Sequence, residues 1–192
     1  MKLTEQELKQ IFPKAPIDKL KLYAPILLNT CSQMGFDTPK RIAALLGQIA
    51  VESGELKYDK ELPSKWNKKN PNDPNEPVGT LYEGRKNLGN IKTGDGPRYI
   101  GRGLLQLTGR ANYFDYGKKI AVDLVNNPDL ACDPTISVKI ACQYFIDRKL
   151  IEAADKWDLA TITKRVNGSA MLHHDKRVAY SEKALKVLEG SV

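Results

Sequence analysis

Two carboxylates frame the stretch "ALLGQIAVESGELKYDKE" at residues 44–61: Glu52 ends an apolar run, and Glu61 follows nine residues later. Leu45 and Ile49 lie seven and three positions before Glu52, so on a helix the three share one face. A carboxylate on an apolar face is partly desolvated, and in the last turn it meets the negative end of the helix dipole. Both effects favour its protonated form, which a general acid needs. Glu61 follows "YDK" and precedes a proline-rich stretch, where hydration would leave it ionised. A neutral and an ionised carboxyl group together form the acid/base pair of glycoside hydrolysis. Asp59 and Glu55 are rivals for either role. The plainer reading is that Glu52 points sideways into solvent and the acids after it are surface charges.

A second polar set lies in "GDGPRYIGRGLLQLTGRANY", residues 94–113. Its glycines allow close backbone approach or positive φ. Leu104 to Thr108 reads as a brief extended segment with Gln106 and Thr108 on the same side. Thr108 can cap the following helix and place Asn112 in its first turn. Such a row can hold a water or sugar hydroxyls, or it is a capped turn with a polar surface. Further on, Asn167 precedes Gly168 at a helix stop. Arg177 is either a surface arginine or the partner of a carboxylate. His173 and His174 are adjacent, share no helix face and make a poor metal pair, so no metal is expected.

These residues must be positioned mainly by helices. Periodicity and punctuation place helices at residues 4–11, 18–34, 39–53, 109–121, 135–148, 150–157, 159–166 and 174–188. Thr38 and Pro39 open the third; Asp133 and Pro134 open the fifth. Residues 62–98 carry five of the eleven prolines and five glycines and no period, so one wall of a groove is expected there. The fold class is therefore mainly α with a long irregular loop region, in a single domain spanning residues 1–192.

The 192 residues carry a net charge of +7, spread along the chain, which favours an anionic partner. Interleaved aromatics and a basic cluster are absent, which argues against nucleic acid. No stretch approaches the ~18 apolar residues of a membrane span, and the amino-terminal stretch lacks the apolar core of a signal peptide. Synthesis in the cytoplasm and a monomeric state are expected. Cys31, Cys132 and Cys142 are expected to be free thiols.

The blocks "LLGQIAVESGEL", "YIGRGLLQLTGRANY", "VDLVNNPDLACDPTISVKIACQYF", and "ITKRVNGS" with "DKRVAY" occur in the order of the glycoside hydrolase family 19 catalytic domain, which they resemble over residues 25–190. That family includes plant-type chitinases and phage endolysins. The resemblance implies a lysozyme-like helical fold with a substrate cleft, an inverting mechanism and no cofactor. It gives Glu52 the role of general acid, with Val51 where a histidine is frequent, and Glu61 that of general base. Thr108 matches the residue that helps position the attacking water. Gln106, Asn112 and Asn167 match substrate-groove positions, and Arg177 matches an arginine of the carboxylate network. Compact size and the missing signal peptide are more similar to endolysins than to secreted chitinases. This implies peptidoglycan glycan strands of the anionic bacterial envelope as the substrate, reached in the cell wall after release. A chitinase, a lytic transglycosylase or a non-catalytic glycan binder are the alternatives.

Overall fold

A computed structural model describes residues 3–190. The expected mainly α architecture is observed. The helices are α1 (Glu5–Ile11), α2 (Ile17–Gln33), α3 (Pro39–Glu52), α4 (Asp95–Arg98), α5 (Arg110–Lys119), α6 (Pro134–Asp147), α7 (Leu150–Asp155), α8 (Leu159–Asn167) and α9 (His174–Gly190), with single 3-10 turns at Thr80–Tyr82, Lys86–Leu88 and Pro128–Cys132. Among the described residues strand pairing is limited to isolated antiparallel bridges, Lys60 with Arg102 and Arg102 with Leu107.

Helix α3 is the axis of the molecule. The Thr38 hydroxyl accepts the Arg41 amide at 3.3 Å, Pro39 sits in the first turn, and Ile42 to Ala50 are buried without interruption. So long a buried run needs neighbours on every side, and α9 comes closest. A Cβ built on Gly47 would stand 1.9 Å from Ser181 Oγ and 2.7 Å from the Arg177 carbonyl, so only glycine permits this crossing. Helices α2 and α6 pack across from each other, with the Cys31 and Cys142 sulfurs 3.8 Å apart in the core. Both thiols and Cys132 are free. Asp133 caps α6 through the Ile136 amide at 3.0 Å, as its sequence position suggests.

A second, smaller cluster forms around Tyr99, Leu107, Tyr113 and Leu124, and Tyr144 packs against both clusters. Residues 62–94 carry turns and short 3-10 helices, not strands, and are fixed by side chains instead of a ladder. Asn67 is their hub. Its carboxamide oxygen accepts the Ser64 amide at 2.8 Å, its Nδ2 donates to the Leu62 carbonyl at 2.8 Å, and its own carbonyl accepts the Gly79 amide at 2.9 Å.

One sequence expectation fails here. Leu104 to Thr108 is not extended: residues 103–106 form a tight turn, Gln106 has φ of 54°, and pairing resumes only at Leu107. The turn is imposed from a distance. The Gly103 amide donates to the Asp59 carbonyl at 2.7 Å and the Leu104 amide to Ser137 Oγ at 2.7 Å. Thr108 does not cap α5; Gly109 holds that position, with φ of 89°.

Candidate active site

Glu52 ends α3, with its side chain 26% exposed. Arg177 Nη2 donates to Glu52 Oε1 at 2.7 Å. Arg177 is 2% exposed and is among the largest fully buried side chains, not a surface arginine. Its Nη1 donates to Gln48 Oε1 at 2.7 Å and its Nε to the Leu172 carbonyl at 3.1 Å. A buried guanidinium needs such a set of acceptors, and Glu52 is the charged one among them. The spacing explains the grip: Gln48 and Glu52 are one helical turn apart and reach the same arginine. The expectation of a purely apolar surround for Glu52 is thus corrected. Its companion is a permanent cation that fixes one oxygen, and Oε2 has no protein hydrogen-bond partner among the described residues.

Glu61 is held by three donors. The Gly101 amide donates to Oε1 at 2.9 Å, while Tyr82 Oη at 2.9 Å and Asn67 Nδ2 at 3.3 Å donate to Oε2. Its own amide donates to the Gly101 carbonyl at 2.9 Å, so residues 61 and 101 lock together. Burial first, and then the hydrogen bond to Glu61, push the Tyr82 hydroxyl up to about 12. Tyr82 therefore remains a donor at any physiological pH.

The two rivals are committed elsewhere. Asp59 forms an ion pair with Lys19 at 2.7 Å. Glu55 is 4% exposed and accepts hydrogen bonds from the Lys14 amide at 2.6 Å and from Tyr180 Oη.

Gly101 joins Glu61 to the polar row. A Cβ there would lie 2.8 Å from Gln106 Oε1 and 3.2 Å from Thr108 Oγ1, so both groups rest against its bare Cα. Gln106 Nε2 donates to the Gly103 carbonyl at 3.0 Å, Thr108 Oγ1 to the Gln106 carbonyl at 2.9 Å, and Asn112 Nδ2 to the Thr108 carbonyl at 2.7 Å. Gln106, Thr108 and Asn112 line a recess of about 160 Å³ together with Leu105, Tyr144 and Arg148. The Tyr144 hydroxyl donates to the Val166 carbonyl at 3.3 Å. Burial raises its pKa; Arg148, 3.5 Å from its ring centroid, opposes this, and the Glu52 charge adds to it. Asn167 ends α8 next to Val166, whose carbonyl accepts the Tyr144 hydroxyl; its own Oδ1 accepts the Leu172 amide at 2.6 Å, closing the loop whose Leu172 carbonyl receives Arg177.

The structure thus gathers Glu61, Gln106 and Thr108 around Gly101, ties Asn112 to the Thr108 carbonyl, pairs Glu52 with the buried Arg177, and uses Asn167 to brace the loop before α9. Residue-by-residue reading missed Gln48, Asn67, Tyr82 and Tyr144. A helical spacing of four between Gln48 and Glu52 was the available signal for the first; the others have no local signature. Larger hollows, of about 520 Å³ beside Asn29 and Phe36 and about 670 Å³ beside Lys9 and Lys183, hold none of these groups. No group of three His, Cys, Asp or Glu side chains among the described residues could hold a metal ion.

Comparison with known proteins meets this geometry. The family model described as chitinase class I, glycoside hydrolase family 19, matches residues 31–173. A glycosyl hydrolase family 19 domain-containing protein of Haemophilus influenzae is 28% identical over 185 residues, 88% of each chain. Endochitinase 1 of Theobroma cacao is 50% identical over 58 residues, 30% of this chain but only 18% of the plant protein. A bacterial family 19 chitinase of known structure superposes with a TM-score of 0.67 at 22% identity, covering 97% of this chain and 94% of its own.

Proposed function

The chain belongs to glycoside hydrolase family 19, the class I chitinase family, and from that premise we propose that it is an endolysin-type hydrolase of the β-1,4 bonds in bacterial peptidoglycan. That it is a glycoside hydrolase follows from the family. The observation that carries the finer reading is charge. A protein of +7 whose basic residues are spread along its length is suited to an anionic polymer, and chitin carries no charge. The second reading, a chitinase, is favoured by the named activity of the plant endochitinases that share a half-identical stretch with this chain.

The proposed chemistry is inverting. Glu52 protonates the glycosidic oxygen through Oε2, the oxygen that Arg177 leaves free. As the proton leaves, negative charge develops on a carboxylate 2.7 Å from the guanidinium, which stabilises it. Glu61 acts as base. Oε2 already accepts two donors, so Oε1, with one, is the oxygen that can receive a proton from water. Thr108 places that water. Its hydroxyl hydrogen is committed to the Gln106 carbonyl, so it approaches water as an acceptor. A water that donates to both Thr108 and Glu61 turns its lone pair toward the anomeric carbon. Inversion calls for carboxyl groups about 6.5–9.5 Å apart, leaving room for this water. No cofactor enters any step.

Parallel digestion of purified peptidoglycan and of chitin oligosaccharides tests the substrate. Release of reducing ends from peptidoglycan, with the α-anomer first seen by proton NMR, is the expected result. Activity on chitin alone would replace this reading with the chitinase one, and anhydromuramyl products would identify a transglycosylase.

A further inference from the structure

Beside the carboxyl end of α3 lies a recess of about 340 Å³ that the acid/base chemistry does not use. Its lining includes Val51, Lys14, Lys57, Lys176, His173 and the Glu55–Tyr180 pair. The volume is that of a small-ligand site. Three lysine side chains are exposed around it. None of their ammonium groups forms an ion pair among the described residues; Lys57 Nζ stands 5.2 Å from the Tyr58 ring centroid. The acid in the recess is Glu55, and it is spent: both oxygens are bound, by the Lys14 amide and by Tyr180, and the side chain is turned inward. Three exposed ammonium groups against this one buried carboxylate leave the wall cationic on balance toward solvent.

Its place in the fold gives this charge a target. Val51 lines the recess and precedes Glu52 in the chain; His173 and Lys176 lie between Leu172, whose carbonyl accepts the Arg177 Nε–H, and Arg177 itself. Both α3 and α9 thus give one residue to the Glu52–Arg177 pair and the residue before it to the recess. We propose that the recess binds an anionic oxygen group branching from the glycan strand, and so selects charged envelope polymer over neutral chitin. This rests on the peptidoglycan reading. The shared chemistry is anionic oxygen; its two sources are the carboxylates of peptide or lactyl branches and the phosphates of polymers attached to the strand.

The test compares the full chain with the triple variant Lys14→Gln/Lys57→Gln/Lys176→Gln and its Lys→Arg counterpart. On intact peptidoglycan the glutamine variant should raise KM about five-fold while kcat stays within about two-fold, three weak ion pairs being lost together. The arginine variant should keep the wild-type KM. The ratio of peptidoglycan to chitin-oligosaccharide activity should fall accordingly. Peptidoglycan whose carboxylates have been converted to amides with carbodiimide and ammonia should reproduce the KM rise in the wild type if carboxylates are the source; acid-dephosphorylated peptidoglycan should do so if phosphates are. A glutamine variant with unchanged KM and unchanged ratio overturns the proposal. If the wild type releases nothing from peptidoglycan, the substrate reading fails separately. The recess is then judged by NMR titration with N-acetylmuramic acid against N-acetylglucosamine. Shifts at the Val51 and Gly54 amides for the acid alone, abolished in the glutamine variant, sustain it; equal responses to both sugars overturn it.

Discussion

At the scale of the residue, the site is a contrast between two grips. Glu52 is held at one oxygen by a buried cation, and Glu61 at both oxygens by neutral donors. Replacing Glu52 by Gln keeps the hydrogen-bonding oxygen but removes the transferable proton. Hydrolysis should fall at least ~10³-fold while circular dichroism and Tm remain close to wild type. Arg177→Met is different in kind. It empties a buried cation site and leaves Gln48 Oε1 and the Leu172 carbonyl without their donor. A loss of about 3–5 kcal/mol in urea unfolding is expected, with activity falling in parallel. Tyr82→Phe removes one of the donors to Glu61 and leaves the aromatic packing. Its signature is alkaline: in the folded wild type Tyr82 holds its proton to about 12, against about 10 unfolded. The raised folded value means its contribution is complete below pH 10 and lost as pH rises toward 12. The variant should lose the matching step in phenolate absorbance and show a shallower alkaline decline in stability.

At the scale of the element, the sequence was most legible where a few local residues decide the outcome. Thr38 with Pro39 and Asp133 with Pro134 marked the starts of α3 and α6, and the Ile42–Ala50 run marked α3 as central. The turn at residues 103–106 was not legible. Leu-Leu-Gln-Leu-Thr alternates as a strand would, and what bends it is the Asp59 carbonyl and the Ser137 hydroxyl, which no window of local sequence contains. Within the candidate site the carboxylates and the polar row could be read from the chain, since their types are the chemistry. Tyr82 and Asn67 could not, because their roles depend on how residues 62–82 fold back on Glu61. Close helix crossing gives a prediction at this scale. Gly47→Ala would force a Cβ onto Ser181 and the α9 backbone, so α3 and α9 must part. A cost of about 1–3 kcal/mol is expected, and because Arg177 rides on α9, kcat should drop with stability. Gly47→Ala combined with Ser181→Gly should recover part of both, as the side-chain clash is the closer one.

At the scale of the whole molecule, the net charge of +7 gives a prediction that no single contact does. A protein of +7 meeting a polyanionic wall gains accumulation that salt screens over about 8–10 Å at 0.1–0.15 M. On the proposed substrate, suspended peptidoglycan, turnover should therefore decline between 20 mM and 300 mM NaCl, while turnover of a soluble neutral oligosaccharide stays nearly constant. A parallel decline on both substrates would place the salt effect on the fold or the chemistry instead.

Asn67 has an implication for how this scaffold can diversify. It clasps the two legs of the proline-rich excursion, residue 64 on one side and residue 79 on the other, and from the same side chain it steadies Glu61. The tip beyond that clasp, from Asn70 to Pro77, is tied back through Glu76, whose carboxylate accepts Thr80 Oγ1 at 2.6 Å and the Lys69 amide at 3.1 Å, and Thr80 opens the turn that carries Tyr82 to Glu61. A change of length at this tip that spares Glu76 can leave the hold on Glu61, the proposed general base, in place, so the excursion is free to vary while the grip on that carboxylate is kept.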